Sequence, residues 1–260
     1  MSQQQGARPG PVQVEVCVES VESALAAQAG GAHRVELCAN LFEGGTTPSA
    51  GMIRLTRAQI QIGLFVMIRP RGGDFCYTPL EFEVMRQDIA LAKELGADGI
   101  VLGILHPDGT IDEDRTAALM EEAAPLPVTF HRAFDLTPDA SAALETLIRL
   151  GVPRVLTSGQ ESSALEGSEL LAQLVQQAAG RIGIMAGGGI TERNVRRIVS
   201  LTGVQEIHLS GRSAVAAPVQ VTNSRVHMGG ALHPPETIRL VTDRARIQAC
   251  VAQLTDPATP

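Results

Sequence analysis

Short apolar runs alternate with longer stretches of helical periodicity along nearly the whole chain. Runs such as VEVCV at 14–18 and IHLS at 207–210 are each bounded by a segment whose apolar residues recur every three or four positions. This alternation predicts βαβ units and a parallel sheet. Eight units in about 240 residues match a single TIM-type (β/α)8 barrel, a fold in which the carboxyl ends of the strands build the active site.

The predicted elements fill one domain. Strands are expected at 12–18, 34–39, 64–69, 99–105, 128–133, 154–157, 182–186 and 206–210. Helices are expected at 20–30, 49–60, 80–95, 112–124, 138–150, 165–179, 192–201 and 235–254. Residues 12–254 would then form the barrel with a C-terminal extension and helix, residues 1–11 a disordered lead, and residues 255–260 a tail.

The composition of the chain limits the classes of molecule that the protein is expected to bind. The 260 residues carry a net charge of −7, and they include one tyrosine and no tryptophan, which argues against nucleic-acid or anionic-membrane binding. No apolar run approaches the roughly 18 residues that span a bilayer. Residues 1–11 lack the apolar segment of a secretory signal, so a cytoplasmic location is expected. The four cysteines form no C-x-x-C pair and are expected to be reduced.

Two predicted strands share a Glu-x-Cys pattern. Glu15 and Cys17 alternate with valines on the first strand, and Glu36 and Cys38 occupy the same pattern on the second. If the apolar faces pack against the helices, both Glu-x-Cys faces point into the barrel. Buried carboxylates require cations or a shared proton. The candidate partners are Arg69, Arg71, Arg132, His131 and His208.

Titratable side chains gather at the predicted carboxyl ends of the strands. Histidine transfers protons near neutral pH and also binds metals. A single inward glutamate is often a structural ion pair, and a lone histidine is often a core residue, but five such groups at one barrel mouth favour a functional site. The candidate catalytic residues are Glu15, Glu36, Arg69, His131 and His208.

Glycine-rich sequences follow the sixth, seventh and eighth strands. Glycine lets main-chain N–H groups approach an anion closely, and barrels often bind phosphate after strands seven and eight. The alternative is that these glycines only form tight turns. The candidate anion-binding residues are Ser158, Gly159, Gly187, Gly188, Gly189, Ser210, Gly211 and Arg212.

Cys17 and Cys38 suggest a metal site. We expect them at matching positions on neighbouring strands, roughly 5 Å apart. Thiolates suit Cu(I), and Met228 would add a thioether. Buried free cysteines also serve as small apolar residues, so the pair is not a specific metal signature.

Several long motifs together resemble the CutC family of copper homeostasis proteins. They are VELCANLFEGGTTPS, MIRPRGGDFCYT, DGIVLGIL, VTFHRAFD, RVLTSGQ and EIHLSGR followed by MGG. The resemblance extends over about residues 12–250. It implies a TIM-type barrel, a cytoplasmic location, a homodimer or homotetramer, and copper handling. The matching positions are Glu15, Cys17, Glu36, Cys38, Arg69, Arg71, His131, Arg132, Asp135, Ser158, Gly159, His208, Ser210 and Met228.

Two functions therefore remain open. In the first, the protein maintains copper homeostasis and binds Cu(I) through Cys17 and Cys38. In the second, it is a barrel enzyme of unassigned isomerase, lyase or hydrolase class that acts on a small phosphorylated or carboxylated metabolite. There Glu15, Glu36 or His131 would be the acid or base, and Arg69 would hold a carboxylate or an oxyanion.

Overall fold

The computed structural model describes residues 11–219, 223, 225–226 and 237–255. Within them, eight parallel strands close into a barrel in chain order, which confirms the predicted (β/α)8 fold. The strands are β1 Gln13–Val18, β2 Arg34–Leu37, β3 Gly63–Met67, β4 Gly99–Leu102, β5 Val128–Phe130, β6 Arg154–Thr157, β7 Gly183–Gly187 and β8 Glu206–Leu209.

Seven helices connect the barrel strands and surround them. They are α1 Val21–Ala29, α2 Ala50–Gln59, α3 Pro79–Glu94, α4 Glu113–Ala123, α5 Ala140–Leu150, α6 Ser168–Ala178 and α7 Val195–Thr202. Helix starts follow their capping residues. The hydroxyl of Ser20 accepts the N–H of Ser23 at the start of α1, and Thr78 forms a reciprocal capping box with Glu81 at the start of α3.

The C-terminal extension differs from the predicted single helix. Strand β9, Arg212–Ala216, pairs antiparallel with β10, Ile238–Thr242, and only then does α8 run, over Arg244–Thr255. The prediction of a helix over 235–254 was therefore wrong for its first part. The segment IRLVT is rich in β-branched residues, and a short apolar run of this kind does not distinguish strand from helix until a partner strand is present.

Smaller boundary differences have local causes. Strand β5 ends at Phe130, three residues earlier than predicted, because His131 caps a 3-10 turn over Arg132–Leu136. Helices α6 and α7 each begin three residues later than predicted, after turns that follow Ser163 and Thr191.

The two faces of the barrel strands pack against different surroundings, as the alternating pattern predicts. The valines of β1 pack with the surrounding helices in the main core, whereas Cys17 belongs to a smaller interior cluster. The other members of that cluster are Cys38, Phe65, Met67 and Val101. The polar residues of the candidate site thus lie on the interior face, around and above this small apolar centre.

Several sequence expectations fall outside the described part of the chain. They are the structure of residues 1–10 and 256–260 and the placement of Met228. Among the described helices, none combines the length and apolarity required to cross a membrane.

Candidate functional site

A cavity of about 510 Å³ opens at the carboxyl ends of the barrel strands. Its volume is typical of small-molecule sites. Four of the five predicted catalytic residues line it, and Glu15 lies deeper in the barrel. The cavity-lining candidates are Glu36, Arg69, His131, His208, Cys17, Gly188, Gly189, Ser210, Gly211 and Arg212.

Glu15 is fully buried beneath the cavity and is held by two cationic partners. Its carboxylate accepts hydrogen bonds from His208 Nδ1 at 2.7 Å and from Arg34 Nε at 2.5 Å. Burial would raise the pKa of Glu15, but the His208 hydrogen bond and the charge of Arg34 together lower it to about 2. Glu15 is therefore an ionised residue that orients His208.

An ion-pair network closes the interior below Glu15. Arg34 also binds Glu206, whose carboxylate lies 2.6 Å from Arg154 Nε. The guanidinium groups of Arg34 and Arg154 both lie over the Phe65 ring. The sequence alone does not pair Arg34 with Glu206, because the pairing depends on strand register.

The prediction of the cationic partners of Glu15 and Glu36 was wrong for most of the residues named. Among the predicted partners only His208 contacts Glu15 or Glu36; Arg71 pairs with Glu81, and Arg132 pairs with Asp135. The physical reason is register: Glu15 lies beside Arg34 on β2 and beside His208 on β8.

His208 connects Glu15 to Glu36. Its Nε2 atom lies 3.7 Å from Glu36 Oε2, while Glu36 Oε1 is buried and has no hydrogen-bond partner among the described residues. Burial raises the pKa of Glu36, and the charge of Cys17 raises it further. Burial would lower the pKa of His208, but Glu36, Cys17 and Glu15 raise it. The three groups therefore form a buried cluster in which Glu15 hydrogen-bonds His208 and Glu36 lies beside it.

The two predicted metal ligands lie side by side, with Cys17 lining the cavity and Cys38 buried next to it. The sulfurs of Cys17 and Cys38 are 3.8 Å apart, and Cys38 Sγ lies 3.4 Å from Glu36 Oε2. The three ligand atoms lie within 4.8 Å of one another. The expected matching positions were wrong, since Cys17 stands beside Glu36 in the register and Cys38 lies diagonally beyond it. Their side chains converge nonetheless.

The pKa values of the two cysteine thiols are shifted in opposite directions. The hydrogen bond with Cys38 outweighs burial and lowers the pKa of Cys17 to about 5. The same hydrogen bond and burial raise the pKa of Cys38 well above its ordinary value. The pair therefore favours a single thiolate that accepts the hydrogen bond of the neighbouring thiol.

His131 and Arg69 occupy the opposite wall of the cavity. His131 Nδ1 accepts the N–H of Ala133, which leaves Nε2 buried and without a partner among the described residues. The Arg69 guanidinium donates to the carbonyls of two neighbouring loops, at Glu43, Gly45 and Gly73. Arg69 therefore ties these loops together, in addition to placing positive charge beside the cavity.

The three glycine-rich strand ends differ in their surroundings. The N–H of Ser158 binds Asp135, and that of Gly159 binds the hydroxyl of Thr157, so these amides are already occupied. Gly187 is buried in β7 and does not line the cavity. Five of the eight predicted anion-binding residues remain at the cavity wall: Gly188, Gly189, Ser210, Gly211 and Arg212. Sequence reasoning missed Arg246 of α8, which also lines the cavity.

Comparison with known proteins assigns the family. The family model described as the CutC family matches residues 12–213, which include all eight barrel strands. This chain belongs to the CutC family. A human protein named copper homeostasis protein cutC homolog is 54% identical over 235 residues, which cover 90% of this chain and 86% of that protein. A CutC family protein of Bacteroides fragilis is 49% identical over 93% of this chain and 96% of its own length.

Solved structures agree with the fold of this CutC family member. The crystal structure of the copper homeostasis protein CutC of Streptococcus agalactiae has a TM-score of 0.73 at 38% identity. It covers 76% of this chain and 98% of that one. Phosphoribosyl anthranilate isomerase of Thermotoga maritima has a TM-score of 0.57 at 14% identity and covers 94% and 98% of the two chains, a likeness that shows the barrel fold alone.

Proposed function

We propose that this chain is a cytoplasmic copper homeostasis protein that binds Cu(I) through Cys17 and Cys38. The observation that carries the proposal is the approach of the two sulfurs to 3.8 Å, with Cys17 lining an open cavity and Cys38 buried beside it. The names of the human and S. agalactiae relatives support copper handling. A homodimer or homotetramer is part of the same proposal, as the family resemblance implies.

The donor set suits a soft monovalent ion. Thiolates select Cu(I) over harder cations, and Glu36 adds a carboxylate oxygen beside the two sulfurs. Zinc–thiolate bonds are about 2.3 Å long, so a metal of similar size joins two sulfurs up to about 4.6 Å apart. The observed sulfur separation is within that span. Because Cys17 lines the cavity, an ion reaches the pair without the barrel opening.

A competition titration tests the copper site. Reduced, metal-free protein is titrated with Cu(I) against a chromophoric chelator under anaerobic conditions. We expect one tightly bound Cu(I) per chain, and a loss of affinity on the order of a hundredfold or more in the double variant Cys17→Ser/Cys38→Ser. The matched control is Cys76→Ser/Cys250→Ala, which removes the other two thiols, neither of which lies in the described metal groups. Equal copper binding by the two double variants would sink the proposal.

A second candidate function is acid–base catalysis on a small anionic metabolite. The observation that favours it is the Glu15–His208–Glu36 cluster, in which a histidine oriented by a buried carboxylate lines the cavity, as an acid–base residue and its orienting partner do. The test incubates copper-free protein with phosphorylated and carboxylated metabolites. NMR then follows the exchange of solvent deuterium into each metabolite or its turnover. We expect His208→Gln to abolish exchange while His106→Gln, at a half-exposed histidine outside this cavity, retains it. Equal activity of the two variants would exclude His208 as the acid–base residue.

A further inference from the structure

Main-chain N–H groups without acceptors gather at the ends of β7 and β8. Among the described residues, no hydrogen-bond acceptor is present for the N–H of Gly189, Ile190, Ser210 or Gly211, and all four residues line the cavity. Two of them are glycines with positive φ, at 67° and 52°, a conformation that glycine adopts without steric cost. Clusters of main-chain donors in turns bind anions.

The third glycine-rich end provides an internal comparison. The amides after β6 belong to the same kind of βα turn, but those of Ser158, Gly159 and Gln160 are taken by Asp135 and Thr157. The protein therefore supplies its own acceptors after β6 and leaves several donors after β7 and β8 without acceptors among the described residues.

Positive side chains accompany these free donors. Four arginines line the cavity against two glutamates, Glu36 and Glu43, although the chain as a whole has a net charge of −7. Arg132 and Arg246 are committed to Asp135 and Glu192. The guanidinium of Arg212 has no acceptor among the described residues, so its charge is available to a ligand.

Helix α8 positions that arginine. Arg246 Nη1 donates to the carbonyl of Arg212 at 2.7 Å, and Asp243 N–H donates to the carbonyl of Gly211 at 2.9 Å. The turn after β8 is therefore held by α8 and the residue before it, with the carbonyls of Gly211 and Arg212 occupied. A preorganised turn of this kind binds an anion without a further ordering cost.

We infer that the ends of β7 and β8, together with Arg212, form a binding subsite for a phosphate group. A phosphate has three terminal oxygens, and the several donors and the arginine match their number and charge. The remaining volume of the cavity extends toward Cys17, Glu36 and His131, which leaves room for the organic part of a small phosphate ester. This inference goes beyond copper binding, does not depend on the cysteines, and specifies the ligand class of the enzyme alternative.

Calorimetric titration of the full-length, copper-free protein tests the subsite. The probes are inorganic phosphate and glycerol 3-phosphate, with glycerol as the uncharged control. We expect saturable 1:1 binding of a phosphate-bearing probe, at least tenfold weaker binding by Arg212→Gln, and substantial recovery by Arg212→Lys, which keeps the charge. Tighter binding of glycerol 3-phosphate identifies an ester as the ligand, whereas tighter binding of inorganic phosphate identifies the free ion.

A matched control separates the subsite from general charge. Arg149→Gln removes one arginine from an exposed position on α5, far from the cavity lining, and should leave phosphate binding unchanged. Circular dichroism of each variant verifies folding. The absence of saturable binding by the folded wild type, or equal weakening by Arg212→Gln and Arg149→Gln, overturns the inference. Because Cys17→Ser/Cys38→Ser should still bind phosphate and Arg212→Gln should still bind Cu(I), the two proposals fail separately.

Discussion

At the scale of single residues, His131 shows how burial fixes a protonation state. Its ring is buried beside Phe75, with ring centroids 4.9 Å apart. Burial and the nearby charge of Arg69 lower the pKa of His131 to about 3. His131 is therefore neutral near pH 7, with Nδ1 as acceptor from Ala133 and the proton on Nε2. It offers the cavity a hydrogen-bond donor rather than a positive charge.

The burial of neutral His131 predicts that the protein loses stability as the pH falls. Since the pKa of His131 falls from 6.5 in the unfolded chain to about 3 in the folded protein, the unfolded state binds its proton more readily. Its contribution to stability is complete above about pH 6.5 and is lost as the pH falls toward 3. We expect His131→Asn, whose amide oxygen can replace Nδ1 as the cap, to reduce the slope of unfolding free energy against pH by up to about 1.4 kcal/mol per pH unit in this window.

Urea denaturation at a series of pH values measures this slope. His106→Asn provides the control at a histidine whose side chain is 49% exposed. Parallel pH profiles for wild type and His131→Asn would show that His131 does not titrate as its burial requires.

At the scale of elements, the contact of α1 with α8 depends on one glycine. Gly30 closes α1, and a Cβ atom there would lie 2.6 Å from Ile247 Cβ and 3.0 Å from the carbonyl of Arg244. Its φ of −83° is open to any residue, so space rather than backbone conformation demands glycine. This close approach seats α8 on the barrel, and with it Arg246 behind the turn after β8.

Gly30→Ala should therefore destabilise the protein by overpacking. We expect a loss of about 1–3 kcal/mol in the free energy of unfolding, because a backbone carbonyl and the branched carbon of Ile247 cannot yield locally. Gly51→Ala on α2 is the matched control, since its new methyl would meet no atom closer than 3.9 Å. That variant should be neutral or more stable. Thermal and urea unfolding would contradict the prediction if both variants behaved alike.

At the scale of the whole molecule, barrel closure decides which polar groups meet. Glu15 and His208 are 193 residues apart in the chain, and β1 pairs with β8 only because the sheet closes on itself. The same closure brings the glycine turns after β7 and β8 to the side of the cavity where Cys17 lies. The mouth thereby gathers positive charge in a chain that is negative as a whole.

Much of the fold followed from the hydrophobic pattern. The eight strands, the seven connecting helices and the interior direction of both Glu-x-Cys faces agree with it, because strand alternation is a local property. The β9–β10 hairpin did not follow, since an isolated strand has no local signal of its partner. The long family motifs also identified the CutC family from sequence alone.

The sequence by itself determined the architecture, the family and the residue types that face the barrel interior. Tertiary structure decided their partners. It paired Glu15 with Arg34 and His208, and it placed Cys17 and Cys38 next to each other on neighbouring strands. It also supplied acceptors for the amides after β6 and none among the described residues for several amides after β7 and β8. The physical reason is that periodicity fixes which way a side chain points, whereas its neighbours depend on register and closure, which the chain acquires only when distant strands pair.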